Sequence, residues 1–172
     1  RFTQRGVNIS LNLSGNSLND ETLLDYVQTQ FDEHGIQPDQ ICFEITETAA
    51  IQHLNRAQVF AREVRLWGCK MALDDFGSGL SSFRYLKMLP VDFLKIDGSF
   101  VQDLLESKND YALVAAINQL AHMMGIKTVA EHVANLDIVE MLREMKVDFA
   151  QGYGLGRPMP LLDAWTWRTS QL

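Results

Sequence analysis

The 172-residue sequence predicts an α/β fold built from consecutive βα units, the pattern of a parallel sheet covered by helices. Three observations lead there. Short runs rich in β-branched and apolar residues alternate with longer stretches whose apolar residues recur every three or four positions. Polar residues gather towards the C-terminal ends of the short runs. No Gly/Ser/Pro-rich linker, low-complexity tract or long charge run divides the chain, which reads as one domain over residues 1–172.

Taken in order, the strand candidates are VNISLNLS from Val7, ICFEITE from Ile41, CKMALDDF from Cys69, DFLKID from Asp92, IKTVAEHV from Ile126 and VDFAQGY from Val147. Each runs into a polar or Gly-containing loop. Between the first two, Leu23, Leu24, Val27 and Phe31 share one face of a helix. Between the fourth and fifth, Leu113, Ala116, Ile117, Leu120 and Met124 do the same, with Met123 and Met124 placed in the core stripe. Gly68 and Gly125 follow the last periodic residues of two helices, where a left-handed closing residue is cheapest for glycine. Trp165 and Trp167, in a final helix, read as packing groups. Six βα units fit either an open doubly wound sheet or about six of the eight units of a TIM-like barrel, and periodicity alone does not choose.

Composition bounds the function. Apolar residues make up 47% and charged residues 22%, so the chain buries a core and is not a disordered or fibrous class. A net charge of −7 argues against a sequence-independent grip on DNA or RNA, which needs clustered Lys and Arg, but leaves room for a small phosphorylated ligand bridged by a cation. Cys42 and Cys69 fit no zinc spacing and sit in apolar segments, which points to a reduced, cytoplasmic protein. No apolar run approaches the roughly 18 residues of a spanning helix, and RFTQRG lacks the order of a signal peptide. The chain does not begin with Met, so Arg1 is expected to lie inside a longer reading frame that can carry a sensor or an anchor.

The chemistry lies in the polar residues that break the strands: Asn12, Glu44, Asp74 with Asp75, Lys95 with Asp97, Glu131 and Gln151. An ionised carboxylate in a strand covered on both faces costs several kcal/mol unless it is paired or bound to metal. In a barrel all parallel strands deliver their C-terminal ends to one face, so these residues, 20 to 36 positions apart, would meet in one polar cup. The carboxylates of Glu44, Asp74, Asp75 and Glu131 would repel one another there, and a hard divalent cation, Mg²⁺ or Mn²⁺, offsets that repulsion. Adjacent Asp74 and Asp75 suit two ions about 3.5–4 Å apart, with Lys95 orienting the attacking water. Taken singly, each acid is explained as well by a surface ion pair or a helix cap; the repetition at successive strand ends is not.

The segments SLNLSGNSL, FEITET, LDDFGSGLSSFRYLKMLPVDFLKID, VAEHVAN and QGYGLGRPMP resemble, in order and spacing, the motifs of the EAL family of cyclic di-GMP phosphodiesterases. The resemblance implies a TIM-like barrel, of which this chain supplies the C-terminal three quarters, and metal-dependent opening of the cyclic dinucleotide to linear pGpG. It implies Asn12, Glu44, Asp74, Asp75 and Glu131 as metal ligands, and Lys95 as the base that positions water. Gln151 would contact water or metal, and Glu47 would anchor the loop Phe76-Gly77-Ser78-Gly79, in which Ser78 stands where Thr is usual. Asp97 and Pro158 become candidate substrate contacts. The family loop links the metal site to a dimer interface, so a homodimer is expected, with a sensory or GGDEF domain upstream.

Two departures bear on activity. The Glu-Ala-Leu signature does not occur in the sequence; the resemblance places it upstream of Asn12, and the isolated chain is expected to hydrolyse weakly. Where the family reads Ala-Glu-Gly-Val-Glu, this chain has Ala130-Glu131-His132-Val133-Ala134, which removes a supporting carboxylate. His132 reads as a solvated or hydrogen-bonded loop residue rather than a ligand. Gly152-Tyr153-Gly154-Leu155-Gly156 looks like a phosphate loop, but no crossover unit with an acidic ribose ligand follows, so it reads as a strand-end loop bordering the ligand. Beside the working enzyme stand two alternatives, a cyclic di-GMP receptor and a dimerisation scaffold.

Overall fold

The structure, a computed structural model, describes residues 8–78, 83–160 and 163; Val7, Gly79, Trp165 and Trp167 lie outside the described residues. All six strand candidates form strands, each shorter than the run that predicted it. They are β1 (Ile9–Asn12), β2 (Ile41–Thr46), β3 (Lys70–Phe76), β4 (Phe93–Ile96), β5 (Lys127–Ala130) and β6 (Phe149–Ala150). Every pairing is parallel and the spatial order follows the chain from β1 to β6. A doubly wound sheet would reverse direction at a switch point. This one does not, and the six strands form a half-barrel of TIM type.

Alternate strand residues point to the two faces. Ser10, Cys42, Glu44, Ala72, Lys95 and Val129 line a cavity of about 310 Å³ on the inner face. Ile45, Met71, Leu73, Leu94 and Ile96 are fully buried within the hydrophobic core. Helix α1 (Gly15–Leu18) and helix α2 (Leu23–His34) connect β1 to β2, and α3 (Glu47–Gln52) and α4 (Leu54–Leu66) connect β2 to β3. Ala57, Phe60, Ala61 and Val64 form the buried stripe of α4, at the spacing expected of a helix lying on a sheet. Helix α5 (Phe83–Leu86) precedes β4, α6 (Gly98–Gln102) and α7 (Lys108–Met123) follow it, and α8 (Leu136–Glu144) leads to β6. No helix among the described residues is long and apolar enough to cross a membrane.

The face of α7 differs from expectation. Leu113 is 45% and Met123 is 78% exposed, and the buried stripe is Val114, Ile117, Asn118 and Ala121, with Met124 only partly buried against the core. The physical reason is Asn118. Its Nδ2 donates to the Met145 carbonyl at 2.8 Å and its Oδ1 accepts from Thr128 Oγ1 at 2.6 Å, so a satisfied amide occupies a position that an apolar pattern passes over. Gly68 (φ +104°) and Gly125 (φ +73°) do close α4 and α7.

Strand-to-helix turns on the C-terminal face are fixed by caps. Thr46 Oγ1 accepts from Ala49 N at 3.3 Å, Asp97 Oδ1 from Ser99 N at 2.8 Å and Asn135 Oδ1 from Ile138 N at 3.0 Å. Each such cap stabilises its helix start by about 1 kcal/mol. These turns directly follow β2, β4 and the β5 segment, so the caps also fix the rim from which the polar side chains project.

Candidate active site

At the centre of that rim sits Lys95, on β4 and nearly buried. Its Nζ lies 2.7 Å from Glu44 Oε2, 2.8 Å from Asp74 Oδ1 and 2.9 Å from Glu131 Oε1. An ammonium has three hydrogens, and three carboxylates surround it. Burial works to strip the proton from Lys95, but the hydrogen bonds to Asp74, Glu44 and Glu131 outweigh it and hold the pKa above the ordinary lysine value.

Asp74 and Asp75 come together through a defect in β3. Successive residues of a regular strand point to opposite faces, which would separate the two carboxylates. Between Leu73 and Phe76 the pairing of β3 with β4 shifts register, and Asp75 adopts φ +54°. This bulge turns the end of the strand, and one oxygen from each of Asp74, Asp75 and Glu131 falls within 4.8 Å of the others. Burial raises the pKa of Asp75, helped by Asp74 and Asp97. Burial likewise raises that of Glu131, against the lowering effect of Lys95. In both, burial is the largest cause and the Asp74 carboxylate adds to it. The donor set is all oxygen, a fit for Mg²⁺ or Mn²⁺.

Glu131 follows the last residue of β5, and Gln151 the last of β6. Pairing continues past both strands, with Gln151 N donating to Ala130 O at 2.8 Å and Val133 N to Gln151 O at 3.1 Å. Gly152 makes this possible, because a Cβ there would stand 2.2 Å from Val133 N. The side chains then meet, Gln151 Nε2 donating to Glu131 Oε1 at 3.0 Å. Asn12 ends β1 opposite Glu44 in the parallel register and is exposed.

Glu47 is not a strand residue but the first of α3, fully buried. Gly77 N donates to its Oε2 at 2.9 Å and the Tyr85 hydroxyl donates to its Oε1. Nothing in the local pattern of SSFRYLKM marks Tyr85 as a site residue; burial, then Glu47, drives its pKa up. Ser78 Oγ donates to the Asp75 carbonyl at 2.8 Å, tying the described part of the loop to the bulge.

Asp97 caps α6 through Oδ1, while Pro158 and Gln151 line a separate cavity of about 680 Å³ beside the acidic cluster. His132, at φ +54°, places Nδ1 3.3 Å from Gln102 Nε2 rather than among the acids. Cys42 and Cys69 are free and buried, their thiols pushed up to about 12 and about 11 chiefly by burial.

Residues 1–158 match the EAL domain family. Cyclic di-GMP phosphodiesterase PdeB of Shewanella oneidensis is 48% identical over 153 residues, which is 89% of this chain and 18% of PdeB. The EAL domain of Mycobacterium smegmatis DcpA superposes with a TM-score of 0.90 at 31% identity, covering 98% of this chain and 75% of that one. The phosphodiesterase MucR of Pseudomonas aeruginosa, solved with cyclic di-GMP, superposes with a TM-score of 0.86 at 35% identity, covering 91% of this chain and 64% of that one.

Proposed function

The chain belongs to the EAL domain family, and we propose that it hydrolyses cyclic di-GMP to linear pGpG at the Lys95 cluster with Mg²⁺ or Mn²⁺ as cofactor. The observation that carries this reading is the convergence of Glu44, Asp74 and Glu131 on one ammonium, with Asp75 beside them. Relatives named as cyclic di-GMP phosphodiesterases and solved complexes with that ligand support the substrate. Asp74, Asp75 and Glu131, with Glu44 and Asn12 alongside, would hold the ions, which supply charge for the developing phosphorane and lower the cost of ionising water.

The protein's own groups do the rest. Gln151 donates to Glu131 Oε1 and so fixes which carboxylate oxygen faces Lys95. Lys95 keeps its proton at Nζ; to hold a water there, one of its three carboxylate contacts must pass to another partner. Glu47 holds Gly77, at the described start of the loop after Asp75, and Tyr85 in place. Ala134, exposed on the wall of the larger cavity where the family carries a second acid, favours a receptor that binds without turnover as the second reading. The test is pGpG formation from cyclic di-GMP measured beside equilibrium binding, with Mn²⁺ and with chelator. Mn²⁺-dependent pGpG, reduced about 10²–10⁴-fold by Lys95→Ala with little change in Kd, supports the enzyme. Binding that survives chelation without any pGpG overturns it in favour of the receptor.

A further inference from the structure

Every hydrogen of the Lys95 ammonium is engaged. Nζ donates to Glu44 Oε2, Asp74 Oδ1 and Glu131 Oε1 at 2.7, 2.8 and 2.9 Å, so a water beside it finds no N–H to accept from until a contact opens. The three acceptors are not equally placed to let go. Asp74 Oδ1 also accepts from Asp75 N at 3.1 Å, and Glu131 Oε1 also accepts from Gln151 Nε2 at 3.0 Å. Each keeps a neutral donor if the ammonium withdraws. Among the described residues Glu44 Oε2 has no such second donor. Stripping a buried carboxylate oxygen of its last donor is costly, so Glu44 is the partner that Lys95 keeps most firmly.

Asp74 and Glu131 are claimed a second time. With Asp75 they form the triad whose oxygens lie within 4.8 Å of one another. A divalent ion drawn to that triad and the ammonium would stand on the same carboxylates, where the Lys95 side chain is 6% exposed and water screens two cations poorly. Charge balance points the same way. Glu44, Asp74, Asp75 and Glu131 carry four negative charges, which two divalent ions already offset, and the ammonium is then in excess.

We propose that Lys95 yields Asp74 and Glu131 to a divalent ion by exchange: Nζ gives up Asp74 Oδ1 and Glu131 Oε1 and remains on Glu44 Oε2. The proposal rests on the reading of the cluster as a Mg²⁺ or Mn²⁺ site. No covalent bond changes in the step. Two N–H groups come free at Nζ as the ion is taken up, so Lys95 gains the donors to hold a water only in the loaded site. The same side chain opposes loading and is readied by it. Removing its charge therefore tightens the ion, and by reciprocity the ion weakens the contribution of Lys95 to folding by the same factor.

Calorimetric Mn²⁺ titrations compare the 172-residue chain with Lys95→Met, which keeps an unbranched side chain without the charge, and Lys95→Arg, which keeps the charge. Mn²⁺ is expected to bind Lys95→Met at least about fivefold more tightly than wild type, and Lys95→Arg no more tightly than wild type. Equal or weaker binding to Lys95→Met overturns the proposal, as does tightening in both variants, which assigns the effect to altered packing rather than charge. A wild-type crystal structure grown with Mn²⁺ tests the exchange without a variant. Nζ is expected beyond about 3.5 Å from Asp74 Oδ1 and Glu131 Oε1 and within hydrogen-bond distance of Glu44 Oε2; either of the first two contacts kept beside bound Mn²⁺ overturns the exchange. Failure of all three chains to bind Mn²⁺ overturns instead the reading of the cluster as a metal site, and this proposal with it.

Discussion

The two ends of the half-barrel hold their charges in opposite balance. At the C-terminal rim Lys95 stands among Glu44, Asp74 and Glu131, with Asp75 adjacent: four carboxylates against one ammonium, three negative charges in excess. At the N-terminal end Asp92 precedes β4 and accepts from Arg65 at 3.3 Å, from Met71 N at 3.0 Å and faces Lys70 at 3.5 Å, two cations to one carboxylate. The cations at the base are 40% and 50% exposed, so water shares their charge, whereas the Lys95 side chain is 6% exposed. Equivalent side chains thus make a solvent-screened anchor at one end and an anionic cup around a buried ammonium at the other. Exposed pairs contribute little; buried excess charge is costly and is relieved by a further cation.

Removing the central cation should destabilise the rim more than any change at the base. Lys95→Met leaves three carboxylates without their shared donor, and urea unfolding in chelator is expected to show a loss of about 3–5 kcal/mol, partly recovered on adding Mn²⁺. Glu47→Gln comes next. It leaves Gly77 N and the Tyr85 hydroxyl competing for a neutral amide, with an expected loss of about 1–3 kcal/mol and faster hydrogen exchange at the Gly77 amide. At the base, Asp92→Asn should cost about 1 kcal/mol or less in the same unfolding assay, since Arg65 and Lys70 remain solvated and the amide oxygen can still accept from Met71 N.

The smallest effect is a pH effect. Despite burial, the Asp148 carboxyl is held below its ordinary value by Thr128 N and His122. A depressed folded pKa gives stability that is present above the unfolded value of about 3.9 and is lost as pH falls through the folded one. Asp148→Asn should therefore lower stability at neutral pH and flatten the acid limb, so that wild type and variant converge as pH falls; an unchanged acid limb contradicts the assignment.

The sequence made the half-barrel legible because strand ends repeat one signal six times, and Asn12, Glu44, Asp74, Lys95, Glu131 and Gln151 mark those ends. Periodicity does not distinguish barrel from doubly wound sheet, since that depends on which strands pair rather than on any one of them; the resemblance of the motifs to the EAL family is what points to the barrel, and the strand order from β1 to β6 agrees. Helix α7 was misread by one position because Asn118 is buried through hydrogen bonds that a hydropathy pattern does not contain. The bulge at Asp75 was likewise hidden: two adjacent acids reveal nothing of the local backbone that turns both to one side. Tyr85 bears on the site through its contact with Glu47, and only the three-dimensional arrangement brings the two together.

On the reading proposed above, the rim accepts a divalent cation and the base does not. Calorimetric titration of Mn²⁺ into the chain, Asp74→Asn and Asp92→Asn tests it directly. Saturable binding is expected for the wild type, at least about tenfold weaker in Asp74→Asn and unchanged in Asp92→Asn. Equal Mn²⁺ affinity in the wild type and Asp74→Asn, or no binding at all, would contradict it.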